Sequence, residues 1–141
     1  MKLIDVNLLL YAYDLSSPFH AIAKRWLEES LSSGEPVRLA WQGVLAFVRI
    51  VTHPRTANPI GLSQAIAIVD DWLNHPSLEI LEPGEQHWLV LRSLLNASQA
   101  RGPLVMDAEL AALAIEHGAT LCSNDRDFAR FSSLRWQNPL E

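Results

Sequence analysis

The chain has 141 residues, 49% of them apolar, one cysteine and a net charge of −5, which describes a single domain over residues 1–141 that buries a core without metal or disulfide staples. The acidic balance argues against coating nucleic acid by bulk electrostatics, because such domains carry a basic face, yet it leaves nucleic acid open as a substrate where a bound cation reverses the local sign. Cys122 has no disulfide partner, so a reducing compartment, the cytoplasm, is expected, and the apolar opening is broken by Asp5 and Asp14, so neither a signal peptide nor a membrane span is expected.

Residues 2 to 5 read as a buried strand and Val6 to Tyr13 as a short apolar helix. Ser17-Pro18 supplies a cap followed by proline at the first helical position, opening an amphipathic helix through Trp26 and Leu27 to Leu31 that Ser33-Gly34 ends. Val37 to Ala40 is the second predicted strand. Trp41 to Thr52 carries Val44, Leu45, Phe47 and Val48 at helical spacing and closes at His53-Pro54. Ile60-Gly61 precedes a helix over Leu62 to Asn74. Leu78 to Leu81 is a third strand, Glu85 to Ala100 a long helix, and Gly102-Pro103 a break. A helix from about Asp107 to His117, a strand over Thr120 to Ser123 and a short last strand at Arg135-Trp136 complete the chain. Strands separated by helices imply an α/β fold with a mostly parallel sheet covered on both faces. Ligands of such sheets bind at the edge where strands end and the following helices begin.

That edge collects acids. The helix from Asp107 rises roughly 16 Å to His117, and the strand through Thr120 to Ser123 runs back about as far, which returns Asp125 and Asp127 to the neighbourhood of Asp107. Asp5 ends the first strand on the same edge. Taken singly, Asp5, Asp107 and Asp125 each precede an expected helix and read as N-caps. Taken together, carboxylates a few ångströms apart repel by about 4 kcal/mol per close pair at an effective dielectric near 20. Capping does not require them to converge, whereas a divalent metal does. Glu109, two residues beyond Asp107, lies roughly 200° around the helix and is expected to point away.

The segments LIDVNLLLYAYD, VLAFVRIVTHPR, MDAELAALAIEHGATLCSNDRDF and FSSLRWQNPL, in this order over essentially the whole chain, resemble the PIN-domain ribonucleases of the VapC toxin type. The resemblance implies a three-layer α/β/α domain, Mg²⁺ or Mn²⁺ held by acidic residues, cleavage of RNA, a homodimer, and a small antitoxin that blocks the site. It assigns the metal to Asp5, Asp107 and Asp125 and the catalytic set to these plus Asp127. The antitoxin groove is expected near the helices at residues 17 to 31 and 41 to 53. One position departs from the family pattern. Phe47 occupies the slot of a glutamate usual on the helix after the second strand, and no acid lies between Glu35 and Asp70 to replace it.

Hard oxygen ligands suit Mg²⁺ or Mn²⁺, which activate water and offset charge on a phosphoryl group, so no serine, cysteine or histidine nucleophile is required. The histidines, at positions 20, 53, 75, 87 and 117, lack metal-ligand spacing and read as helix-end or surface residues. For RNA, Asn7, Arg49, Asn124 and Arg126 are the candidate contacts, with Arg55 and Arg130 nearby. A solvated-surface role competes with a phosphate role for each arginine. Trp26, Trp72 and Trp88 read as core, and Trp41 as the one aromatic placed for base stacking. A receiver domain also gathers aspartates at a parallel sheet edge, but it needs a late lysine, and the only lysines here are Lys2 and Lys24. A binding module that has lost catalysis is the alternative the missing glutamate keeps open.

Overall fold

The structure is a computed structural model that describes residues 1–141. Along the chain run β1 (Lys2–Ile4), α1 (Val6–Tyr13), α2 (His20–Ser32), β2 (Val37–Leu39), α3 (Trp41–Val51), α4 (Leu62–Asn74), β3 (Leu78–Ile80), α5 (His87–Ser98), α6 (Pro103–His117), β4 (Thr120–Cys122), a short 3₁₀ helix (Arg126–Arg130) and β5 (Trp136–Gln137). The sheet order is β3-β2-β1-β4-β5 and every pairing is parallel.

Side chains alternate across such a sheet, and the residues of β1 and β4 obey this closely. The partners Leu3 and Leu121 point into an apolar layer with Leu94, Ala108 and Leu113, beneath α5 and α6. The next pair, Ile4 and Cys122, points to the opposite layer with Leu8, Leu27, Phe47 and Trp72, beneath α1 to α4. Two apolar layers on either face of a parallel sheet make the α/β/α arrangement. The chain leaves β1 toward β2 on one side, while β4 arrives on the other. The crevice where the connections diverge therefore opens at the carboxyl ends of β1 and β4, which is where Asp5 and Ser123 to Asp125 lie.

Several boundaries differ from the sequence expectation. Gly102, with φ at +60°, caps α6 and Pro103 takes its first position, so the helix begins four residues ahead of Asp107. Asp107 therefore occupies the second turn and caps nothing, which removes the N-cap reading for it. The α2 helix starts at His20, because Pro18 lies within a preceding turn in which Ser17 Oγ accepts the Phe19 N–H at 3.1 Å. The α5 helix spans two residues less at each end than expected and stops where Gln99 turns left-handed. Trp72 is core as expected and Trp26 is half-buried with Lys2 Nζ 5.7 Å over its ring. Trp88 is 59% exposed, contrary to its core reading, because it points outward from the first turn of α5. No helix is long and apolar enough to cross a membrane.

Candidate metal centre

Asp5 follows β1 directly. Its backbone is extended, its Oδ1 accepts the Val6 N–H at 2.8 Å as the cap of α1, and its own N–H continues the strand ladder to Cys122 O at 3.0 Å. Its second oxygen accepts the hydroxyl of Ser123 at 2.7 Å. Ser123 is fully buried, and its Oγ also accepts the Asp125 N–H at 3.0 Å and Asn7 Nδ2 at 3.2 Å. One hydroxyl, donating once and accepting twice, thus couples the ends of β1 and β4. Sequence reading passed over Ser123, since a serine after a strand carries no signal beyond that of a turn former.

Asp125 caps the 3₁₀ helix through an Oδ1 bond from the Asp127 N–H at 2.9 Å. Asp107 reaches the same place from the second turn of α6. Oxygen atoms of Asp107, Asp125 and Asp127 lie within 4.8 Å of one another. The tightest trio therefore contains Asp127 where the sequence placed Asp5. Asp5 stands beside it, close enough that its charge acts on Asp107. Capping and convergence coexist at Asp5 and Asp125.

The cost of this assembly is visible in the protonation equilibria. Asp107 is pushed up to about 6, first by lost hydration and then by the charges of Asp125, Asp5 and Asp127. Burial also raises Asp5, against the lowering effect of its bonds from Ser123 and Val6 N–H, while the Asp125 charge raises it further. The unfolded value of an aspartate is about 3.9, so between pH 4 and 6 the folded chain binds more protons at Asp107 than the unfolded chain does. Its contribution thus favours folding most fully below pH 4 and is lost as pH rises through about 6. Without divalent metal, the melting-temperature gap between Asp107→Asn and wild type should widen as pH rises from 4.5 to 7. Thermal scans in a chelator check this, and a gap independent of pH would contradict the assigned repulsion.

The donor set fits a hard divalent cation. It is all carboxylate, with no histidine or cysteine among the trio, and an oxygen span of 4.8 Å is near the roughly 4.2 Å across an octahedral Mg²⁺ shell with bonds of about 2.1 Å. Glu109 is turned away from it, as expected, with Oε1 accepting Gln42 Nε2 at 3.2 Å and Oε2 facing His87 Nε2 at 3.3 Å. Phe47 is fully buried, 4.6 Å from the Trp72 ring and 5.6 Å from the Tyr13 ring. It belongs to the apolar layer, and α3 offers no carboxylate in its place.

The candidate RNA contacts separate into two groups. Asn7 and Asn124 are half-buried and held by the protein's own bonds: Asn7 bonds Ser123 and, through Oδ1, the Asn124 N–H at 3.5 Å, while Asn124 Nδ2 donates to Tyr11 OH at 3.4 Å. Arg49 is exposed on α3 and makes no ion pair. Arg126 is exposed and paired with Glu141 at 2.6 Å, and Arg130 approaches Asp127 at 3.8 Å. Trp41 is 46% exposed, with its indole N–H donated to Glu82 at 3.2 Å.

Comparison with known proteins adds independent support. The family model for the PIN domain matches residues 2–134. The chain is 42% identical over 143 aligned positions to ribonuclease VapC37 of Mycobacterium tuberculosis, covering 99% of this chain and 97% of that protein. It is 39% identical to VapC ribonuclease Mb2897 of Mycobacterium bovis, covering 100% and 97%. Among solved structures it resembles VapBC-1 of nontypeable Haemophilus influenzae, with a TM-score of 0.73 at 18% identity over 99% and 98% of the two chains. VapBC2 of Rickettsia felis, solved with a DNA fragment from its promoter, gives 0.71 at 20% identity over 97% of each. At those identities the structural likeness speaks for the fold.

Proposed function

The chain is a PIN domain of the VapC family, and from that premise we propose that it is a divalent-metal-dependent endoribonuclease, the toxin of a type II toxin–antitoxin pair. The observation that carries this reading is the convergence of Asp107, Asp125 and Asp127 within 4.8 Å, with Asp5 hydrogen-bonded behind them in the crevice of a parallel sheet. The mycobacterial relatives, both named ribonucleases, support the same reading.

In this reading Asp107, Asp125 and Asp127 hold Mg²⁺ or Mn²⁺, and Asp5, locked by Ser123 and Val6, completes the negative field that retains it. A cation held there supplies the positive charge that activates water and offsets charge building on the phosphoryl and leaving oxygens. The three carboxylates would hold the cation, and Asp5, which lies beside them, would be placed to take up a proton released by water in the crevice. Nothing else nearby competes as nucleophile. Cys122 is buried with its thiol pushed up to about 11 by lost hydration, and the Ser123 proton is committed to Asp5. Arg49, which makes no ion pair, and Arg126, which would exchange Glu141 for a phosphate, are the surface cations proposed to meet the RNA backbone, whereas Asn7 and Asn124 serve the site through the protein's own hydrogen bonds.

The alternative, a PIN-like binding module with weakened catalysis, draws on the aromatic at position 47. Incubating purified protein with RNA and Mg²⁺ or Mn²⁺ separates the two: cleavage by wild type that vanishes in Asp5→Asn supports the nuclease, and equal inactivity supports the module. Ser123→Ala, which leaves Asp5 without its hydroxyl donor, should weaken metal affinity by about 10- to 100-fold while the protein stays folded. Isothermal titration with Mn²⁺ measures this, and unchanged affinity would remove Ser123 from the site.

For the antitoxin partner, the helices chosen from sequence expose apolar residues, Phe19 and Ile22 from α2 and its cap, and Trp41 and Leu45 from α3. A groove of about 760 Å³ between α1, α3 and α4 is lined in part by Leu10, Leu15, Val51, Ile60 and Ile68. Growth arrest on expression, relieved by co-expressing the adjacent small gene, is the cellular test. Sedimentation tests the proposed homodimer.

A further inference from the structure

We infer that Asn138 is a positioning residue for the acidic centre, acting through Asn124, and that residues 136–141 form a strap which holds the turn carrying Asp125. The inference rests on the reading of Asp107, Asp125 and Asp127 as the metal-holding set.

The strap is tied to that turn from several directions. Ser123 N–H donates to Gln137 O at 3.0 Å, and the Trp136 indole N–H donates to Ser123 O at 3.1 Å, so both backbone polar groups of Ser123 are held by the strap. Asn138 Nδ2 donates to Asn124 Oδ1 at 2.9 Å. Arg126 closes the far side on Glu141, and Leu140 packs against the apolar layer beneath α1 to α4.

The two amides also define each other's orientation. Asn138 Oδ1 accepts the Leu140 N–H at 3.0 Å, so its Nδ2 must face Asn124. Asn124 must then present its oxygen to Asn138 and its Nδ2 to Tyr11 OH on α1. The side chain immediately before Asp125 is thereby clamped between the first helix and the last residues of the chain. An aspartate at 138 would keep the bond from Leu140 but set a carboxylate oxygen against the Asn124 oxygen, and it would add a further negative charge near the acids. Losing a group that bonds a metal-holding residue directly lowers metal affinity by about 10- to 100-fold, and Asn138, which acts one residue further out through Asn124, belongs at the lower end of that range.

Full-length Asn138→Ala and Asn138→Asp proteins, compared with wild type, test this by Mn²⁺ titration calorimetry and by the Mn²⁺ dependence of RNA cleavage. The expected result is a Mn²⁺ affinity about 10-fold weaker in Asn138→Ala, and a weaker affinity in Asn138→Asp as well, the lost bond to Asn124 outweighing the added charge. Cleavage at saturating Mn²⁺ should return close to the wild-type rate, and the melting temperature of Asn138→Ala in chelator should stay close to wild type, while the added charge and the opposed oxygens lower that of Asn138→Asp. Tyr11→Phe, which removes the opposite clamp, should shift Mn²⁺ affinity in the same direction. Lower melting temperatures with unchanged Mn²⁺ affinity would overturn the inference and leave Asn138 an ordinary packing residue. Wild type that binds no Mn²⁺ would instead bring down the metal-site reading, and this inference with it.

Discussion

Asp107→Asn is expected to lower RNA cleavage by more than about 100-fold, since removing a carboxylate proposed to hold the metal should cost at least as much as removing a group that merely orients one. The same substitution should leave the metal-free protein as stable as wild type or more so. At neutral pH Asp107 is largely ionised beside Asp125, Asp5 and Asp127, and those charges act against it. A close pair at an effective dielectric near 20 repels by about 4 kcal/mol, but screening in this half-exposed site reduces the recoverable part to about 1 kcal/mol. For a chain of this length that corresponds to a rise of about 3 °C in melting temperature. Activity lost while stability is kept distinguishes a site residue from a structural one. Mn²⁺ should raise the melting temperature of wild type and not of the variant. A variant that still cleaved RNA and still responded to Mn²⁺ would remove Asp107 from the centre.

Phe47 makes the second large expectation. It is fully buried and packs edge-on against Trp72 and Tyr13, whose hydroxyl in turn accepts the Trp72 indole N–H at 3.0 Å. Phe47→Ala leaves a cavity at the junction of α1, α3 and α4 and should destabilise by about 3–5 kcal/mol, lowering the melting temperature by on the order of 10 °C. Phe47→Glu, the residue type that the family resemblance implies for this slot, should be worse, because the carboxylate would be buried among aromatic rings without a partner. It should yield unfolded or insoluble protein and no gain in cleavage. Thermal scans of both variants beside Phe47→Leu measure the series. A soluble Phe47→Glu protein that cleaved RNA faster than wild type would show that the slot opens onto the acids and that the present packing is dispensable.

These two positions mark how far the amino-acid pattern could be read. Asp5 and Asp125 were legible because each stands at the end of a short apolar strand, where the alternation of the sheet and the start of a helix leave little freedom. Asp107 was legible as a member of the cluster and wrong as a cap. Its helix begins at Gly102-Pro103, and the Asp-first reading rested on capping preference alone. Asp127 entered the tightest trio because the turn after β4 is a 3₁₀ helix capped by Asp125, a detail decided by one hydrogen bond. Trp88 was misplaced because its helix turns its first apolar residue outward at the amino end.

The order of strands and helices, the buried character of β1 and β4, and the presence of several acids at one edge all follow from local spacing and period. The amino-acid string alone determined them, since each depends on residues only a few positions apart. The bond from Ser123 to Asp5 and the clamp that Asn138 places on Asn124 join residues 118 and 14 positions apart. Only tertiary structure decided these, because bonds of about 3 Å between such distant residues depend on the register of β1 against β4 and on the docking of the last residues beside them, neither of which has a local signature.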